Sequence, residues 1–137
     1  MKYLLMIQGT QAGYEAMAGK ESPGHPAWSE QQLQAVFAHM SAINDDLAES
    51  GEMVGGAGLT EPAQARMIAL GPDRRPVITD GPYGETKEVL GGYWILDCES
   101  LERVTEIATR VLRCPGPEGA ELPVIIRPIQ GEGGCEI

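Results

Sequence analysis

The stretch TDGPYGETKEVLGGYWIL, residues 79–96, packs a turn, a run of charges and an apolar strand into eighteen positions. Asp80-Gly81-Pro82 reads as a turn, because an Asp carboxylate accepts nearby backbone N–H groups and Gly tolerates positive φ. Residues 91–98 (GGYWILDC) read as the most hydrophobic strand of the chain. Its two faces are both apolar, Tyr93 and Ile95 on one and Trp94 and Leu96 on the other. Such a strand has to be covered twice. Gly91 and Gly92 let the chain return closely into a sheet.

The same pattern recurs upstream. Residues 2–8 (KYLLMIQ) place Tyr3, Leu5 and Ile7 on one face and Leu4 and Met6 on the other. Further strands are predicted at 52–59 and 65–70, a short one at Val77–Ile78, and a last one at 123–129. Ser29 followed by Gln32 forms a capping box, with Trp28 placed to staple onto Leu33. Leu33, Val36, Phe37, Met40, Ile43 and Leu47 continue it as an apolar stripe that ends at Gly51, so residues 30–50 are a helix. Ser100 opens a second helix whose stripe is Leu101, Val104, Ile107, Ala108 and Val111, with Arg110 and Arg113 at its negative end. Residues 9–27, rich in Gly and Pro and without sustained periodicity, are predicted to be a long connection, and the tail 130–137 to be loose.

This order gives an α+β fold in the split βαβ arrangement, with both helices on one face of an antiparallel sheet. The opposite face is apolar as well, which predicts a homodimer packed sheet to sheet. With 137 residues, residues 1–137 form a single domain, the loop 10–27 and the tail being peripheral.

Composition excludes several classes. Twenty acidic residues against ten basic ones give a net charge of −10, with only Lys2, Lys20 and Lys87 as lysines. No basic footprint for nucleic acid exists. No apolar run is long enough to cross a membrane, and MKYLLMIQG reads as a strand rather than a leader, so a cytoplasmic location is expected. Cys98, Cys114 and Cys135 are odd in number and lack metal-ligand spacing, so neither a disulfide framework nor a structural metal is expected. No phosphate-cradle or nucleophile-elbow motif is present, and no cofactor is expected.

DGPYGETKEVLGGYWILD (Asp80 to Asp97) resembles the signature of YCII-related proteins of the DGPF type, DGPF-x-ETKE followed by a GGY strand. MKYLLMI, ESGEMVGGAGL and the spacing of the second helix are similar to that family too. Tyr83 stands where Phe is customary, and Gly84 where Ala is common. The resemblance implies a ferredoxin-like fold of the dimeric α+β barrel type. It also implies a His–Asp pair in a cleft, as proposed for some members. The wider group includes a dehydrochlorinase-like enzyme, and some members are encoded beside extracytoplasmic-function sigma factors.

Carried onto this chain, the pair is His39 on the first helix and Asp80 in the turn. His39 falls on the flank of the apolar stripe, a position that suits a cleft rim and an ordinary half-buried side chain alike. Asp80 would either set the turn or fix the His39 tautomer and favour the imidazolium, leaving a usable general base. Lys87 is a candidate cation for an anionic substrate or enolate, with Thr86 and Tyr83 adding hydrogen bonds. The alternative for these charges is a solvated rim in which Glu85 and Glu88 tie up Lys87. The other histidine, His25, lies between prolines and is expected to face solvent. Two functions follow: a small-molecule enzyme of the elimination or isomerisation type, or a non-catalytic ligand-binding or regulatory module linked to a sigma factor.

Overall fold

A computed structural model of the chain describes residues 1–131. Strand β1 (Lys2–Gly9) leads into helix α1 (Gln11–Met17), then α2 (Glu30–Ser50) and β2 (Met53–Gly58). A hairpin of β3 (Arg66–Leu70) and β4 (Pro76–Asp80) precedes β5 (Val89–Asp97), α3 (Leu101–Leu112) and β6 (Val124–Pro128). The main sheet is antiparallel in the order β2-β5-β1-β6. With the hairpin set aside, the βαββαβ order and this strand order are those of a ferredoxin-like α+β fold.

The alternation read in the two central strands holds. Leu5 pairs with Trp94 and Tyr3 with Leu96. All four are buried in a core with Ile43 and Leu47 of α2 and Val104, Ile107 and Val111 of α3. The opposite face carries Leu4, Met6, Tyr93 and Ile95, none of them fully buried, and Ile125 beside Met6 is 39% exposed. Both expected caps form. The Ser29 and Gln32 side chains and backbones exchange hydrogen bonds at 3.1 and 2.8 Å, and Ser100 Oγ accepts from Arg103 N–H. Each contributes about 1 kcal/mol. Gly51 closes α2 at φ 79°.

Three expectations change. Residues 9–27 are not helix-free: α1 forms there, with Thr10 as its cap and Ala12 and Ala16 buried. Among the described residues three α-helices are therefore present, of which α2 and α3 carry the core contacts with the sheet. Phe37 leaves the predicted stripe of α2 and is 62% exposed, at the wall of a cavity that Trp28 and Met40 also line. Lastly, among the described residues β3 and β4 pair only with each other, five residues to a strand, and all ten residues are exposed. The tail's expected looseness, and Cys135, fall largely or wholly outside the described residues. Cys98 is a buried free thiol and Cys114 a half-buried one. Among the described residues, no helix is long and apolar enough to cross a membrane.

Candidate functional site

Helix α1 is held from three sides. Thr10 Oγ accepts from Gly13 N–H at 2.9 Å, Ala12 N–H donates to the Glu85 carbonyl at 2.9 Å, and Gln11 Oε1 accepts from Ala63 N–H at 2.8 Å. The charged segment after the DGP turn thus clasps α1 through its backbone. Tyr14 then lies over two glycines. A Cβ on Gly9 would meet the Tyr14 ring at 2.9 Å, and one on Gly91 would meet its hydroxyl at 3.2 Å. Gly9 thus leaves room for the ring, and Gly91, the first of the GG pair within β5, leaves room for its hydroxyl. The hydroxyl lies 2.9 Å from the Leu59 carbonyl and 3.1 Å from that of Gly91, and it has one proton to offer them. Burial pushes the Tyr14 pKa up, so the group stays a protonated donor.

The chain after α1 folds back over it. Trp28 N–H donates to the Ala16 carbonyl at 3.0 Å, and Ser22 and His25 form a small antiparallel bridge. His25 is half-buried rather than solvent-facing, with Nδ1 at 3.2 Å from the Pro23 carbonyl. A carbonyl only accepts, so Nδ1 carries a proton in this contact, and whenever the ring is neutral its lone pair is on Nε2.

These elements enclose a cavity of about 260 Å³. Its walls include Ile7, Tyr14, Met17, His25 and Trp28, with Glu118 among the residues lining it. A register shift between Ile7 and Gln8 falls here, a bulge of the kind that re-aims side chains next to sites. A neighbouring cavity of about 310 Å³ shares Trp28, Met17 and Ile7 and adds Phe37, Met40 and Cys114. A third space, about 660 Å³, runs along β2 past Asn44, Asp45 and Met53. Among the described residues, no Lys or Arg lines any of the three. Among the described residues, no group of three or more His, Cys, Asp or Glu side chains converges to hold a metal ion.

The residues singled out in the sequence lie elsewhere. His39 Nε2 donates to the Arg110 carbonyl of α3 at 2.8 Å. Asp80, at the end of β4, accepts from Arg66 Nε at 2.7 Å and is largely exposed. The structure joins each to its own partner and shows no hydrogen bond between the two. Tyr83, Thr86 and Lys87 are exposed on the segment that clasps α1, and none of the five lines the cavities above. Lys87 forms no ion pair with Glu85 or Glu88; its backbone N–H closes a turn to the Gly84 carbonyl at 3.2 Å.

In the sequence Tyr14 has no assigned role and His25 only that of a solvent-facing side chain. The usable signal was Thr10 as a cap before Ala12 and Ala16, small residues one turn apart that seat a short helix.

The model of the YCII-related domain matches residues 1–116. This chain belongs to the YCII-related family. A relative from Rhizobium meliloti (strain 1021), an uncharacterized protein, is 30% identical over 82 residues, which are 60% of this chain and 65% of that one. The matched segment thus spans just under two thirds of the relative's length. The family match reaches through α1, α2, the hairpin, β5 and α3, and so includes the Tyr14, His25 and Trp28 walls of the cavity.

Proposed function

We propose that this YCII-related protein handles a small molecule, held in the cavity between α1, Trp28 and residues 117–122, and that it works as a homodimer. The observation that supports binding is the cavity itself: apolar walls with a few polar groups from Tyr14, His25 and Gln8. That composition is typical of ligand sites, and the volume lies near their lower end. The test is an NMR titration with a panel of small aromatic and aliphatic compounds, following the two indole N–H signals. Binding here moves the Trp28 signal, assigned through Trp28→Phe, and leaves that of Trp94, which is tied to Asn44 Oδ1 at 2.8 Å. Ligands that move residues 80–88 instead would return the site to the DGP turn.

The homodimer is supported by two apolar surfaces. One is the sheet face away from the core, where Leu4, Met6, Tyr93 and Ile95 are half-buried and Ile125 is 39% exposed. The other is the hairpin, where Ile68 and Leu70 are each 65% and Ile78 56% exposed. A lone two-stranded hairpin is marginal in water and gains from a partner surface. Sedimentation should give a dimer for the native chain and a monomer for Ile95→Asp; a monomeric native chain refutes this part. The free thiols Cys98 and Cys114 fit a reducing, cytoplasmic setting.

A catalytic reading of the same cavity has one observation in its favour, the lone pair that the Pro23 contact leaves on His25 Nε2. General-base catalysis by His39 with Asp80 requires both residues to leave the partners described above. The regulatory alternative through a sigma factor rests on family resemblance alone.

A further inference from the structure

We propose that this cavity selects a protonated amine carrying an apolar body, and discriminates against carboxylates and phosphates of the same shape. The proposal rests on the ligand-binding reading above and adds the chemical class. Three features carry it. First, neither this cavity nor the one joined to it across Trp28 has a Lys or Arg among its lining residues; the carboxylates there are Glu118 and Glu121. An anion entering would give up its water for neutral donors only and would face those carboxylates, which is costly.

Second, Tyr14 and His25, two of the polar side chains lining the cavity, keep acceptor capacity while their protons are engaged elsewhere. The Tyr14 proton is spent on the Leu59 and Gly91 carbonyls, leaving the phenolic oxygen's lone pairs. The His25 proton on Nδ1 is spent on the Pro23 carbonyl, leaving Nε2. With the Glu118 carboxylate, these groups suit a ligand that brings N–H donors. An ammonium brings three.

Third, the apolar wall is built from Trp28, Met17 and Ile7. An indole face attracts a cation, and a thioether adapts to an aromatic or aliphatic body. At long range the net charge of −10 raises the local concentration of cations over anions.

The experiment uses three probes of nearly one shape: phenethylamine as its ammonium, phenethyl alcohol and hydrocinnamate. Each is titrated into the full-length protein near neutral pH at low salt, following the Trp28 indole N–H. The expected order is ammonium tightest, about fivefold tighter than the alcohol, with hydrocinnamate weakest. In Glu118→Gln, whose side chain lies at an exposed position, the ammonium-to-alcohol ratio should fall to within about twofold. Alcohol binding as tight as the ammonium, or hydrocinnamate binding tightest, overturns the charge preference while leaving the ligand site intact. If none of the three moves the Trp28 signal, the ligand-binding reading itself fails.

Discussion

Glu52 and Arg103 meet through a two-pronged pair, Nη2 to Oε1 at 2.8 Å and Nε to Oε2 at 2.9 Å. Glu52 stands at the entrance to β2 and Arg103 in the first turn of α3, so the pair fastens one βα half of the fold to the other. The Arg103 guanidinium holds the Glu52 carboxyl down at about 2 against the opposing effect of burial, and Ser50 Oγ adds a hydrogen bond at 2.9 Å. The neighbouring Cys98 thiol is pushed up to about 11 by burial and by the Glu52 charge. A depressed carboxyl pKa stabilises the fold above the ordinary value of 4.5, and that stability is lost as pH falls toward about 2. Glu52→Gln should therefore lose on the order of 1–3 kcal/mol near neutral pH. Urea unfolding should show the gap to the native chain closing as pH approaches 2.

Gly56 and Gly55 make a paired test of the edge strand. A Cβ on Gly56 would sit 2.7 Å from the Tyr93 carbonyl oxygen and 3.3 Å from Trp94 Cα, so backbone would have to move. A Cβ on Gly55 meets nothing within 4 Å. Gly56→Ala should cost about 1–3 kcal/mol, whereas Gly55→Ala should be within about 1 kcal/mol of neutral in either direction. Thermal melts of the two variants check the contrast, and equal losses would show that β2 does not need the close approach.

What the sequence made legible was whatever a local period encodes. Tyr3, Leu5, Trp94 and Leu96 alternate, Val36, Ile43 and Leu47 recur at helical spacing, and Ser29 and Ser100 sit where caps belong. Helix α1 escaped because it is one short run with Gly13 inside it, and its stability comes from contacts distant in sequence. Glu85 receives an N–H from Ala12, and Tyr14 reaches Gly91, 77 positions away. The cavity was illegible for the same reason, since its walls come from β1, α1, Trp28 and residues 117–122. Of the charged residues that follow the DGP turn, Glu85 holds α1 through its backbone carbonyl rather than its side chain.

His39 and Asp80 offer a direct test of independence. Because His39 Nε2 donates to the Arg110 carbonyl and Asp80 pairs with Arg66, removing the Asp80 charge should leave both imidazoles unmoved. The measurement is an NMR pH titration of His25 and His39 in the native chain and in Asp80→Asn. Superimposable curves are expected. A displaced His39 curve would show that the two side chains couple in solution, and would restore them as a general-base pair. Asp80→Asn should also loosen the open end of the hairpin slightly, by no more than about 1 kcal/mol, since the Arg66 pair is exposed.

Tyr14 joins wall and tether in one side chain, and two substitutions separate them. Tyr14→Phe keeps the ring over Gly9 and Gly91 and deletes the hydroxyl. The Gly91 carbonyl keeps the Leu59 N–H at 2.9 Å, so the carbonyl that loses its partner is that of Leu59, at the solvent-facing end. The stability loss should be small, about 0.5–1.5 kcal/mol. Amide exchange in α1 should nonetheless quicken, because the helix loses its side-chain tie to β5. Tyr14→Ala removes the wall as well and should cost about 2–4 kcal/mol, with loss of phenethylamine binding. If Tyr14→Phe exchanges as slowly as the native chain, the hydroxyl is no tether, and the contacts of Ala12 with Glu85, Gln11 with Ala63 and Ala16 with Trp28 hold α1 without it.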